Sequence, residues 1–227
     1  PLAGQADLIL DSARRAARLT HPHIAPLLDW GKYEARAWVV TSAQGHSLQS
    51  LVEAGNPLEE HLALGFLESL AGALAYLHRH ALVYQNLEPD AAVIAADARN
   101  ARLSWPVYAV PAGSPQRTAD GKSLRVVILR YAAPEVLRGD HETIDPAVDL
   151  YCLGATFYSL LAGKDAYSKA RKKLELPDIR TFRADLTAPT AELLAETLAA
   201  DPRQRPQAQA VQERAAQIMG RLTRPAG

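Results

Sequence analysis

The chain has 227 residues, 48% of them apolar and 22% charged, the balance of an ordinary domain able to bury a core. Lysine plus arginine and aspartate plus glutamate each number 25, so no net basic field exists to hold nucleic acid or an anionic membrane surface. One cysteine, Cys152, excludes an intrachain disulfide, and no run approaches the roughly 18 apolar residues of a membrane span. These counts predict a soluble, cytoplasmic unit with a buried structural thiol. The opening on Pro1, with neither an initiator Met nor a basic-then-apolar leader, reads as a fragment of something longer.

Residues 6–19 set Leu8, Ile9, Ala13, Ala16, Ala17 and Leu19 at helical spacing with Arg14, Arg15 and Arg18 opposite, which predicts an amphipathic helix ending before His21-Pro22. Residues 24–28 and 37–41 predict short strands around a turn at Gly31-Lys32-Tyr33-Glu34. Asn56-Pro57 opens a helix to about His80, striped by Leu58, Leu62, Leu64, Leu67, Leu70, Leu74 and Leu77. Two further strands, 91–95 and 101–104, flank the polar turn Asp97-Ala98-Arg99-Asn100, and residues 111–123, rich in Gly, Pro, Ser and Thr, predict an exposed, mobile loop. Residues 146–162 are apolar nearly all round and predict a helix through the interior; residues 188–200 and 207–222 predict the last two helices. The fold class is therefore α+β, a small sheet followed by a mostly helical body.

Four motifs punctuate these elements. His21-Pro22-His23-Ile24 follows the first helix. Leu77-His78 leads to Tyr84-Gln85-Asn86-Leu87-Glu88-Pro89-Asp90-Ala91. Tyr131-Ala132-Ala133-Pro134-Glu135 precedes Asp149-Leu150-Tyr151-Cys152-Leu153-Gly154, and Asp201-Pro202-Arg203-Gln204-Arg205-Pro206 comes last. In this order they resemble the eukaryotic-type protein kinases, bacterial serine/threonine kinases in particular: the His-Pro-Asn-Ile after the regulatory helix, the catalytic loop, the Ala-Pro-Glu that closes the activation segment, and the Asp-Pro-x-x-Arg-Pro of the last lobe. The resemblance implies a kinase-like fold with a partial N-lobe over residues 1–42, a C-lobe over 43–222 and a tail over 223–227. It also implies a buried ion pair between Glu135 and Arg205, with Asp149 bracing the catalytic loop from below.

Carried over residue by residue, the same resemblance implies a degenerate site. The catalytic Asp falls on Asn86, whose amide has no usable basicity at neutral pH. The metal-binding Asn falls on Ala91 and the Asp-Phe-Gly on Trp105-Pro106-Val107, and neither Ala nor Trp offers the oxygen that Mg²⁺ demands. Glu88 replaces the loop lysine and sets like charge against a triphosphate, a repulsion of about 1 kcal/mol in water and about 4 at an effective dielectric of 20. The regulatory-helix Glu falls on Ser12, with Asp11 one position away. The Arg that grips a phosphorylated activation segment falls on Gln85, which leaves phosphate on Ser114, Thr118 or Ser123 without that partner. Val40, Thr41 and Ala43 match the hinge, and Val93 and Ser104 the pocket floor, with Trp105 placed to fill the cavity. The Gly-rich loop and strand lysine of the family precede the first helix, and the sequence starts after them.

The expectation is a pseudokinase: no catalytic residue, no cofactor, no metal, not an enzyme, and a scaffold whose partners are other proteins rather than nucleic acid or membrane. The alternatives are a nucleotide-binding sensor and a divergent serine/threonine kinase using a displaced lysine and metal ligands such as Asp90 or Asp97. His78-Arg79-His80, with Glu88 and Asp90 nearby, reads as an ordinary helix end, since alternate helical positions face apart. Ser114 lacks a nucleophile-elbow context. Lys164, Lys169 and Arg171-Lys172-Lys173 read as a solvated basic face, with a docking patch for an acidic partner as the lesser reading.

Overall fold

Leucine stripes and one helix buried on nearly every side organise the chain around a helical core. The computed structural model describes residues 5–34, 36–42, 45–104, 109–115, 130–139, 143–167 and 176–223. Along them run α1 (Gln5–Ala16), β1 (Leu27–Tyr33), β2 (Arg36–Thr41), α2 (Leu48–Glu53), α3 (Glu60–Arg79) and β3 (Leu82–Val83). Then come β4 (Ala92–Ile94), β5 (Ala101–Leu103), β6 (Val110–Pro111), α4 (Pro134–Arg138), α5 (Ala147–Ala162), α6 (Ala188–Thr197) and α7 (Ala208–Leu222). The strands form three antiparallel pairs, β1 with β2, β3 with β6 and β4 with β5.

The core lies among α3, α5, α6 and α7. Phe66, Leu70, Leu74 and Leu77 of α3 meet Leu153, Phe157 and Leu161 of α5, with Leu194 of α6 and Val211 and Ile218 of α7 closing the cluster. Burying each such side chain is worth roughly 1.5–3 kcal/mol, which is why these helices hold together without strong caps. A second cluster joins Val83, Tyr131, Ile144, Val148 and Tyr151 beside it.

Local contacts move several boundaries from their sequence-predicted places. α1 stops at Ala16, and tighter bonds from Arg18 to Arg15 and from Leu19 to Ala16 carry the chain on. The turn expected at residues 31–34 lies inside β1: Tyr33 pairs with Arg36, and Glu34 takes the left-handed turn with φ 53°. Gly31 serves packing instead, since a Cβ there would sit 2.6 Å from the Trp38 ring. α3 begins at Glu60 because Leu58 donates its amide to Leu160 rather than entering the helix. α6 ends at Thr197. α2, with Leu48 and Val52 buried one turn apart, has no counterpart in the predicted elements.

The loop expected over residues 111–123 is tied down where it is described. Val110 and Pro111 pair with β3, Gly113 donates to Ile144, and Ile144 donates to Ser114. Thr118, Ser123, Lys169 and Arg171-Lys172-Lys173 lie outside the described residues. No helix among the described residues is long and apolar enough to cross a membrane.

The β4–β5 hairpin binds chain on both of its edges. Leu103 donates to His23 and accepts from Ala25, so the segment after α1 zips onto β5. On the other edge Ile94 donates to His46, and Ser47 bridges Val93. Asp97 holds the hairpin tip, its Oδ1 accepting from the amides of Arg99 and Asn100 and its Oδ2 from the Asn100 side chain.

Candidate functional site

The site is built on one buried carboxylate. Asp149, in the first turn of α5, is fully buried. Its Oδ1 accepts from the Gln85 amide at 2.6 Å, and its Oδ2 accepts from the Tyr84 amide at 2.8 Å and lies 2.8 Å from His78 Nε2. Gln85 takes φ 71°, a left-handed conformation that costs a side chain of this size about 1 kcal/mol or more and persists only where the surroundings fix it. Here the surroundings are that carboxylate and the Cys152 thiol, which donates to the carbonyls of Gln85 and Tyr131. The reading of Cys152 as a buried structural thiol fits its place beneath this loop.

Downstream of the grip the loop is fixed again. The Ala91 carbonyl accepts from the amide and the hydroxyl of Ser104 at 2.9 and 2.8 Å, and from the Tyr84 hydroxyl at 3.5 Å. Leu87 is fully buried between Asn86, itself buried, and Glu88, which is half-buried on extended backbone with φ −142° and ψ 169°. Burial pushes the Glu88 carboxyl above its ordinary range; Arg130 pulls it down, and Asp90 and Asp165 push it up again. Arg130 pairs with Asp165 at 3.2 Å, and its guanidinium stands 5.5 Å from the Tyr131 ring centroid. Asp90 is exposed on the same loop.

The end of the activation segment is anchored apart from the loop. Arg205 Nη1 donates to Glu135 Oε1 at 2.6 Å and Nη2 donates to Oε2 at 2.8 Å. Its remaining donors go to the carbonyls of Ala199 and Ala147 at 2.9 Å, and the guanidinium packs 5.0 Å from the Tyr151 ring centroid. Tyr131 donates to Asp165 and shares a bond with Ser159, and burial pushes its hydroxyl far above the usual phenol range.

Other positions named from the sequence fall out as follows. Ser12 is buried on the inner face of α1 and accepts from Arg15 at 2.9 Å, while Asp11 is exposed and pairs with Arg14 at 2.6 Å, so Asp11 does not take an inward acidic role. Val40 is exposed, Thr41 half-buried, and Val93 and Ser104 buried. Ala43 and Trp105 lie outside the described residues. Asp97, exposed, turns its oxygens to the hairpin tip. Magnesium needs several oxygen ligands; position 91 offers only a methyl group, and among the described residues no three His, Cys, Asp or Glu gather to hold an ion. These residues do not fit a metal held by the protein alone.

In sequence His78 reads as part of an ordinary helix end, and its place in the site goes unseen. Its ring closes the Asp149 cluster from 71 positions away, a distance no local pattern reveals.

Residues 7–215 match the model of the protein kinase domain. The serine/threonine-protein kinase PrkC of Bacillus subtilis is 26% identical over 199 residues, covering 84% of this chain and 30% of that protein. The serine/threonine-protein kinase PknB of Mycobacterium leprae is 27% identical over 165 residues, covering 68% of this chain and 25% of that protein. The chain thus spans about a quarter to a third of the length of these relatives. A double mutant of the Mycobacterium tuberculosis PknI kinase domain shares the fold, with a TM-score of 0.73, 24% identity, and coverage of 94% of this chain and 81% of that one. These findings correct the expectation that the domain is no enzyme, since the relatives are named as serine/threonine protein kinases. The physical reason is that phosphoryl transfer rests mostly on positioning and electrostatics, so side-chain changes at motif positions do not by themselves remove an activity whose backbone frame is kept. With the domain matched over nearly its whole length and the fold shared, the chain belongs to the protein kinase domain family.

Proposed function

We propose that this domain is a divergent serine/threonine protein kinase that moves the terminal phosphoryl group of a nucleoside triphosphate to a protein hydroxyl, with Glu88 as its general base. The observation that carries the reading is the grip of Asp149 on the amides of Tyr84 and Gln85, which holds a strained loop in one geometry and presents Asn86 and Glu88 from it.

In the step itself the acceptor oxygen forms a bond to the terminal phosphorus as the bond from phosphorus to the β,γ-bridging oxygen breaks. The nucleoside diphosphate leaves, and the hydroxyl proton passes to the Glu88 carboxylate. A carboxyl raised by burial is a better base near neutral pH, and a positioned base contributes about 10²- to 10⁴-fold. Arg130, which acts on Glu88 through space, offsets the repulsion between that carboxylate and the triphosphate. A divalent ion brought by the nucleotide would neutralise part of the phosphate charge, and among the described residues no group of three His, Cys, Asp or Glu would hold it. Because nucleoside triphosphates are cytoplasmic substrates, this reading places the domain in the cytoplasm, with hydroxyl-bearing proteins as its partners.

The test pairs binding with transfer. ATP at about a hundred times its dissociation constant stabilises by roughly 2.7 kcal/mol, a shift visible in thermal melts with and without Mg²⁺. Label transfer from ATP to casein or to the chain itself is then compared between wild type and Glu88→Gln, with a loss of about 100-fold expected. ATP binding with transfer indifferent to Glu88→Gln removes the assigned base; no binding and no transfer sinks the whole reading.

A further inference from the structure

One cavity has among its walls the residues that hold the site's frame. It measures about 520 Å³ and opens between the last turns of α3, the start of α5 and residues 202–209. Ala75, Leu150 and Ala208 form an apolar floor, each at most 4% exposed. Arg79 and Arg203 stand exposed at the mouth. Arg203 forks onto both oxygens of Asp201 through Nε and Nη2 at 3.0 and 2.9 Å, and Arg79 has no ion-pair partner among the described residues. The one carboxylate on the cavity, Asp145, accepts from the Ala147 amide at 2.7 Å. His78 and Arg205 stand among the remaining walls. Their far sides lie against Asp149 and Glu135, which brace the catalytic loop and the end of the activation segment.

We propose that this cavity is a regulatory site for a small anionic amphiphile, a carboxylate or phosphate on a short apolar body. The anion meets Arg79 and Arg203, the body covers the apolar floor, and the volume lies within the range of roughly 300–1,000 Å³ usual for such ligands. A ligand seated there packs on His78 and Arg205 in the arrangement that holds Asp149 and Glu135. It binds the ordered catalytic loop better than a loosened one, which is the differential contact that regulation requires.

Decanoate is the probe, with decylamine and inorganic phosphate as partners of the same body and of similar charge sign respectively. Binding is followed by amide NMR shifts at Ala208 and Arg79, and loop order by hydrogen exchange at Tyr84 and Gln85. Decanoate should give a saturable shift at low millimolar concentration and slow exchange at Tyr84 and Gln85. The exposed pair Arg79→Glu with Arg203→Glu, with its melting temperature checked against wild type, should weaken it by about ten-fold or more. An absent or non-saturating shift, an affinity unchanged in the double variant, or equal binding by decylamine or by phosphate alone overturns the site. Saturable binding that leaves Tyr84 and Gln85 exchange unchanged overturns its regulatory role.

Discussion

Arg205 holds both oxygens of Glu135, at 2.6 and 2.8 Å, across 70 positions of sequence. Both residues are more than nine-tenths buried, so either alone would be a buried, uncompensated charge. Arg205→Ala is therefore expected to cost about 3 to 5 kcal/mol, more than the pair itself contributes, because Glu135 is left without its partner. At about 2 to 4 °C per kcal/mol for a chain of this size, the melting temperature falls by roughly 6 to 20 °C. Thermal unfolding by circular dichroism checks it, and an unchanged midpoint would mean that water or other groups satisfy Glu135. Replacing both residues by apolar ones of similar volume should recover much of the loss.

The Asp149 grip is tested by a smaller change. In Asp149→Asn one oxygen becomes an amide nitrogen, a donor that faces the Tyr84 or Gln85 N–H and cannot accept from it. One buried donor then loses its partner, at a cost of about 1–3 kcal/mol. The larger effect falls on the loop. With Gln85 no longer fixed at φ 71°, its amide should exchange with solvent at least about ten-fold faster, since 1.4 kcal/mol of local stability is a factor of ten. Exchange as slow as in wild type would show that the Cys152 contacts suffice.

Both of these buried arrangements follow from the motif resemblance, the Glu135–Arg205 pair and the Asp149 brace alike. α3 and α5 are legible because long apolar runs at helical spacing have one reading, and the β4–β5 hairpin because its turn is polar and its strands short and apolar. α2 escapes because six residues with no side-chain cap leave no periodic pattern, and β3 and β6 because two-residue strands have none at all. Gly31 misleads for a physical reason: a glycine that admits the Trp38 ring looks, in sequence, like a glycine that admits a turn. At the site, motif resemblance locates Asn86, Glu88, Glu135, Asp149 and Arg205, but not the half-burial of Glu88 or the part played by His78. Judging the chemistry one side chain at a time led to a non-enzyme, because the positioning done by the backbone has no letter in the sequence.

Stability should also depend on pH through the junction where the segment after α1 meets α3. His21 Nδ1 accepts from the His23 amide at 3.2 Å, its ring lies 5.1 Å from that of Tyr76, and the Tyr76 ring lies 4.4 Å from that of His80. Burial, then His23 and Arg79, hold His21 below its ordinary value of 6.5. Burial is also the largest influence on His23 and lowers it; its bond to Ala101 and the charges of Glu68 and Asp97 pull upward, and Arg102 pulls down. Groups lowered on folding bind more protons in the unfolded chain, so stability rises with pH across this window. The contribution is complete above about 6.5 and is lost as pH falls from there toward the folded values. The melting temperature at pH 5.5 should lie a few degrees below that at pH 7.5. His21→Asn with His23→Gln, which keeps an acceptor for the His23 amide position and cannot titrate, should flatten that difference. A slope unaltered in the double variant would assign it to other groups.

Gly154 gives the most local test of packing. It lies in the buried middle of α5 where α6 crosses, and a Cβ built on it would come 2.5 Å from Thr197 Oγ1, 3.0 Å from Thr197 Cβ and 3.1 Å from Leu198 Cγ. Thr197 cannot swing away freely, because it is buried and its hydroxyl donates to the Leu194 carbonyl at 2.8 Å. Gly154→Ala gains helix propensity of about 1 kcal/mol, yet overpacking of this kind costs typically 1–3 kcal/mol, and separation of α5 from α6 by even a few tenths of an ångström disturbs the layer beneath Asp149. A net loss of about 1 kcal/mol or more is expected in urea unfolding. Thr197→Ala removes the nearest of these atoms, Oγ1, while Thr197 Cβ and Leu198 Cγ stay, so the double variant should be more stable than the sum of the single changes predicts, by roughly 1 kcal/mol of coupling. Simple additivity would mean that the two helices shift apart without resistance.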